Sequence, residues 1–152
     1  MISEIDSELG LSVYSTNFPG TKGKIKQNNE DFEVSEVISE KASNTISEDS
    51  GLAVYTLRKN GIDTTHALHD AEKRYGLVLR ALGLKDSNAI TEQYVQAKTA
   101  SRSLEQIEGK NYSLRRIGFT KKPISKQDML GNKFKIKAVS YTHLTLPTIL
   151  LV

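Results

Sequence analysis

Alternating apolar and polar positions, broken by turn-forming clusters, run through most of the chain, and one stretch carries clear helical spacing instead. Residues 24–38 read as extended, with Phe32, Val34 and Glu36 on one face and Glu33, Ser35 and Val37 on the other. The Ser, Asn, Asp and Gly content of residues 41–51 predicts a loop. Residues 52–57 are a β-rich run, expected to pair with residues 25–38 as a hairpin-like unit. Asp63 or Thr64 then caps a helix in which Ala67, Leu68, Ala71 and Tyr75 share a face, and Gly76 is its natural stop.

Residues 77–82 lead into a polar turn, Lys85-Asp86-Ser87-Asn88, and residues 89–97 form the strand that follows. Ala89, Thr91 and Gln93 fall on one face of it, Ile90, Glu92 and Tyr94 on the other. A short helix is expected over residues 103–107, and strands over 112–118 and 133–138, joined through Pro123 and Gly131. Residues 1–20 read as a weakly structured lead-in. Strands and helices without a regular βαβ rhythm predict an α+β fold.

The 152 residues are enough for one domain. No apolar run approaches the roughly 20 residues that span a bilayer, and the acidic start lacks the features of a signal peptide, so a cytoplasmic protein with no membrane association is expected. The absence of cysteine excludes disulfides and thiolate metal sites. His66 and His69 lie three apart on the helix with no third ligand at a recognisable spacing, so no metal is expected. Charge is strongly asymmetric: residues 1–57 carry 4 basic and 10 acidic side chains, residues 58–138 carry 17 and 8. The basic part suits phosphate neutralisation on a nucleic acid, or simply a solvated surface.

Asp-Ser-Asn favours a turn in which side chains bond their own backbone, and Asp86 stands there as a lone carboxylate at a strand-turn-strand corner. Gly83-x-Lys85-Asp86-x-x-Ala89-x-Thr91-x-Gln93 resembles the signature of the TruD family of tRNA pseudouridine synthases. Leu82 departs from the small residue the family usually has before the Gly. Three further stretches resemble family motifs in the same order. They are Ile25-Lys26 followed by Glu30-Asp31-Phe32-x-Val34-x-Glu36, then Lys59-x-Gly61-x-x-Thr64, and Gly131-Asn132-x-Phe134. The resemblance covers about residues 14–138.

This resemblance implies part of a mixed, mainly antiparallel catalytic sheet with flanking helices, and an enzyme that isomerises a uridine in tRNA to pseudouridine. Asp86 would be its catalytic residue, with Phe32 and Asn132 against the target base. The reaction detaches uracil, turns it over and rejoins it through carbon, so it needs no cofactor. An ionised carboxylate can attack the anomeric carbon or act as base at the 2′ position. Lys85 is expected at a phosphate or in a structural ion pair, and Lys26 at the substrate or as a surface charge. On residue type alone Phe32 also fits a core position, Asn132 a turn and Glu36 a solvated strand. A non-catalytic RNA-binding module of the same fold and an α+β interaction domain are the other readings.

Residues 139–152 break the pattern: they contain no Lys, Arg, Asp or Glu, against ten such residues in 110–137. The decapeptide at 139–148 also resembles a translated sequencing-library adapter. Residues 1–138 are therefore expected to be the N-terminal part of a pseudouridine synthase catalytic domain and 139–152 a non-native tail, which keeps His143 out of any site. The family's later Asn-Tyr-Phe-Gly-x-Gln-Arg-Phe-Gly segment is absent, consistent with the front of a longer enzyme.

Overall fold

Eight strands build one sheet in the order β5-β6-β2-β4-β1-β7-β8, with β3 added beside β4. The computed structural model describes residues 4, 8, 24–47, 49–100, 104–138 and 146–151. His143 and nearly all of the 1–20 lead-in lie outside the described residues. The strands are β1 (Phe32–Ile38), β2 (Leu52–Asn60), β3 (Leu79–Ala81), β4 (Ile90–Ala97), β5 (Gln106–Gly109), β6 (Tyr112–Thr120), β7 (Met129–Ala138) and β8 (Leu146–Leu151). Among the described residues two α-helices of defined extent accompany them, α1 (Glu40–Ser43) and α2 (Thr64–Tyr75). Every pairing is antiparallel except β1 with β4. The fold is α+β.

α2 forms where its spacing predicts. Asp63 is the N-cap, its side chain accepting the His66 amide at 2.9 Å. Gly76 closes the helix at φ 66, a left-handed conformation that costs a glycine nothing. The buried face of α2, Ala67 and Ala71, packs with Tyr55, Leu57, Leu79, Val95, Ile107 and Leu114 from the sheet. A smaller cluster joins Ile38, Ala42, Val54, Leu82 and Ile124.

Three local expectations are corrected. Residues 41–51 are not all loop, because Ser39 accepts the Ala42 amide at 3.1 Å and starts the single turn of α1. No helix forms at 104–107. Gln106–Gly109 instead pairs with β6 through a two-residue turn in which Asn111 sits at φ 68. Residues 25–38 and 52–57 do not form a hairpin, since β4 lies between β1 and β2. The polar loop after β1 carries no tight hairpin turn, and β1 finds its partners in β4 and β7. Strand β8 pairs with β7 from Ala138↔Leu146 to Lys133↔Leu151.

One side of β4 is shared. β1 pairs with it at Ile90–Glu92 and β3 at Val95–Ala97, leaving a gap in the ladder between them. Glu36 fills that gap, its Oε2 accepting the Tyr94 amide at 2.8 Å. The loop from Leu82 to Ala89 passes the same place, since Gln93 Nε2 donates to the Gly83 carbonyl at 2.9 Å. The loop that carries the catalytic candidate is therefore tied to β4 beside this break in the ladder.

Candidate active site

Directly paired residues share a face of a sheet. The register therefore lines up Lys59 of β2, Thr91 of β4, Val34 of β1 and Phe134 of β7 in one row. Glu36 and Asn132 form the next pair between β1 and β7. The loop carrying Asp86 is tied to this face at several points. Thr64, the first residue of α2, donates its hydroxyl to Gln93 Oε1 at 2.8 Å and accepts the Lys85 amide at 3.2 Å. From inside the fold, Lys59 Nζ donates to the Asp86 carbonyl at 2.6 Å.

The Asp86 side chain is 53% exposed. Its Oδ1 accepts the Asn88 amide at 3.1 Å, the turn geometry that Asp-Ser-Asn predicts. Lys26 Nζ lies 3.5 Å from Oδ2. The Asn88 amide, and after it the Lys26 ammonium, hold this carboxyl below the ordinary carboxylate range. Asp86 is thus an ionised, open carboxylate at neutral pH. Lys26 adopts φ 56, unusual for a residue with a side chain, and its ammonium also sits 4.1 Å above the Phe32 ring. Phe32 and Phe134 face each other at 5.9 Å between ring centroids, tilted by 47°.

Lys85 diverges from its neighbour, as adjacent side chains on extended backbone do. Its ammonium is 2.9 Å from Glu36 Oε1 and donates to Asn132 Oδ1 at 2.8 Å. The Glu36 side chain is fully buried and that of Lys85 nearly so. Of the two places expected for Lys85, it occupies the structural ion pair. The Asn132 carbonyl oxygen accepts from Lys85, so its amide NH2 is the end that can donate elsewhere. Asn132 lies within β7, not in a turn, and Glu36 is not a solvated strand carboxylate.

Of the residues singled out from sequence, Asp86, Lys26 and Phe32 are linked by direct contacts, Lys85 and Asn132 by another, and the adjacency of Lys85 and Asp86 in the chain joins the two groups. A cavity of about 780 Å³ along β5 and β6, lined by Glu105, Arg115, Arg116 and Phe119 among others, shares no residue with them. From the sequence, Glu36, Lys59, Thr64 and Gln93 are motif positions, and for Glu36, Thr64 and Gln93 strand-face or capping positions, with no sign of the contacts they make here. A signal was available for two of them. Glu36 follows Phe32 and Val34, and Lys59 follows Tyr55 and Leu57, in registers that are otherwise apolar, and a charge in such a register needs a buried partner. Among the described residues no group of three or more metal-ligating side chains occurs, and no helix is long and apolar enough to cross a membrane.

The arrangement of the sheet recurs in a crystal structure from Methanosarcina mazei described as a tRNA pseudouridine synthase D (TruD). The match has a TM-score of 0.79 at 26% identity and covers 91% of this chain and 32% of that one. Residues 8–145 match the family described as tRNA pseudouridine synthase D (TruD). The chain belongs to the TruD family. Curated relatives named "probable tRNA pseudouridine synthase D" include one from Pyrococcus furiosus, 31% identical over 93% of this chain and 34% of its own length. Another, from Methanosarcina barkeri, is 27% identical over 93% of this chain and 32% of its own length. The chain spans about a third of the length of the curated relatives it matches.

Proposed function

We propose that this chain is the part of a tRNA pseudouridine synthase that carries the catalytic carboxylate, Asp86. Residues 1–138 are then the N-terminal part of the catalytic domain, 139–152 a non-native tail, and the cytoplasm the place of work. The observation that carries the reading is the half-exposed, ionised Asp86 carboxylate paired with a Lys26 ammonium that also covers Phe32, on the loop whose Lys85 orients the Asn132 amide. A binding module has no use for that combination.

In this reading a uridine leaves its stack and its base lies against Phe32 and Phe134, while the Asn132 NH2 donates to a uracil carbonyl. Asp86 attacks C1′ as uracil leaves, or takes the 2′ proton. The N1–C1′ bond breaks, the C5–C1′ bond forms, N1 gains a proton and C5 loses one. No redox partner is required. Lys26 stabilises the carboxylate, and in this reading its half-exposed ammonium pairs with a phosphate of the incoming RNA.

The test exploits the separation of binding from chemistry. In a chimera where this chain replaces the matching third of the Pyrococcus furiosus relative, Asp86→Ala is expected to lower turnover on tRNA more than about a hundredfold. The dissociation constant for tRNA is expected to stay within about threefold, because phosphate contacts dominate affinity. Equal loss of both would assign Asp86 a structural role. Tight tRNA binding with no turnover in the unsubstituted chimera would favour the RNA-binding module.

A further inference from the structure

Lys59 is a cation where the register calls for an apolar side chain. It is 1% exposed, in line with Tyr55 and Leu57 on the face that packs against α2. Taking an ammonium out of water costs several kcal/mol unless partners replace the lost solvent. Its hydrogen-bond partner is the main-chain oxygen of Asp86, at 2.6 Å. Across the ladder stands Thr91, whose buried hydroxyl has no hydrogen-bond partner among the described residues. Among the described residues no carboxylate is in direct contact with Lys59. The charged groups that act on it are Asp86 and Asp63, which favour its charge, and Lys85, which opposes it.

We propose that Lys59 is a positioning residue for Asp86, pinning the turn from beneath and keeping a buried positive charge behind the carboxylate that Lys26 faces from the open side. The proposal rests on Asp86 being the reacting group, but the Lys59–Asp86 coupling belongs to the fold itself. Lys26 is 39% exposed on its side chain and must share its charge with solvent and an incoming phosphate. Lys59 cannot leave. On the covalent route, attack turns the carboxylate into a neutral ester. As the C5–C1′ bond forms, the ester C1′–O bond breaks and its electron pair returns to Asp86, a step that a fixed buried cation favours. Burial pushes the Lys59 amine below the ordinary lysine range, and the Asp86 charge works against that shift.

A coupling of this kind is reciprocal. In the full chain labelled with 15N at lysine Nζ and 13C at aspartate Cγ, Asp86 and Lys59 can be titrated separately by NMR. Asp86→Asn keeps the main-chain acceptor and removes only the charge, and it is expected to move the Lys59 midpoint down. Lys59→Met is expected to move the Asp86 midpoint up by a similar amount, and Lys59→Arg to leave it near the wild-type value. A Lys59 midpoint unmoved by Asp86→Asn would overturn the proposal, even where Lys59→Met does not fold. An Asp86 midpoint unmoved in a folded Lys59→Met chain would overturn it equally. Neither result depends on turnover, so the catalytic reading of Asp86 stands or falls separately.

Discussion

Glu36 binds two otherwise separate parts of the site with one carboxylate. Oε2 closes the gap in the β4 ladder at Tyr94, and Oε1 holds the ammonium that orients Asn132. Breaking a buried ion pair by removing one charge typically costs about 3–5 kcal/mol, because the other is left uncompensated. Glu36→Gln is therefore expected to lower the unfolding free energy by about 3 kcal/mol in urea. A loss below about 1 kcal/mol would place the pair among weak surface contacts. The asymmetry between Asp86 and Glu36 explains what was legible at this scale. Asp86 lies in a local turn whose residues are contiguous, so the sequence displays it. Glu36 has its partners 49 and 58 positions further along, at Lys85 and Tyr94, and only the fold brings them together.

Among the elements, α2 bears most directly on the site, since its first residue, Thr64, clasps the Asp86 loop. Its start depends on Asp63, whose carboxyl is held below the ordinary range chiefly by the His66 amide. A depressed carboxyl contributes stability that is present above its unfolded value, about 3.9, and is lost as pH falls through the lower folded value. Asn caps nearly as well as Asp but carries no charge. Wild type is therefore expected to melt above Asp63→Asn at pH 7, with the gap closing as pH falls below about 4. A gap that stays constant down to pH 2 would contradict the assignment. The cap, the stop at Gly76 and most strand positions were readable because they follow local periodicity and turn chemistry. The neighbours of each strand were not. The parallel pairing of β1 with β4 joins segments more than fifty residues apart, and nothing in the 41–51 loop announces it. β5 was missed because a four-residue strand has too few alternations to stand out.

Across the whole molecule, charge and topology support one division. The acidic part supplies β1 and Glu36, and the basic part supplies the Asp86 loop, Asn132 and the lysines of β7. Of those, Lys135 pairs with Glu33 at 3.1 Å and Lys137 lies 3.8 Å from Asp31. That pairing leaves less of the β7 charge for phosphates than the sequence alone suggests. The pairing of β8 with β7 is compatible with a non-native tail, because an open strand edge binds through its backbone groups whatever side chains arrive. Pro147 sits opposite Lys137 on the outermost strand, where a missing amide is tolerated. Independent, adapter-trimmed reads across the locus are expected to continue from the Ala138 codon into different coding sequence. Codons for Val139 to Val152 followed by a stop would contradict the proposed boundary.

On the proposed function, Asp86 performs chemistry on uridine. Rejoining uracil through C5 expels the hydrogen there, so tRNA carrying tritium at uridine C5 reports the reaction directly. The chimera bearing this chain is expected to release tritium to water, and its Asp86→Asn form to release none above background. A folded, tRNA-binding chimera that releases no tritium, or that releases it equally well with Asn at position 86, would contradict the account.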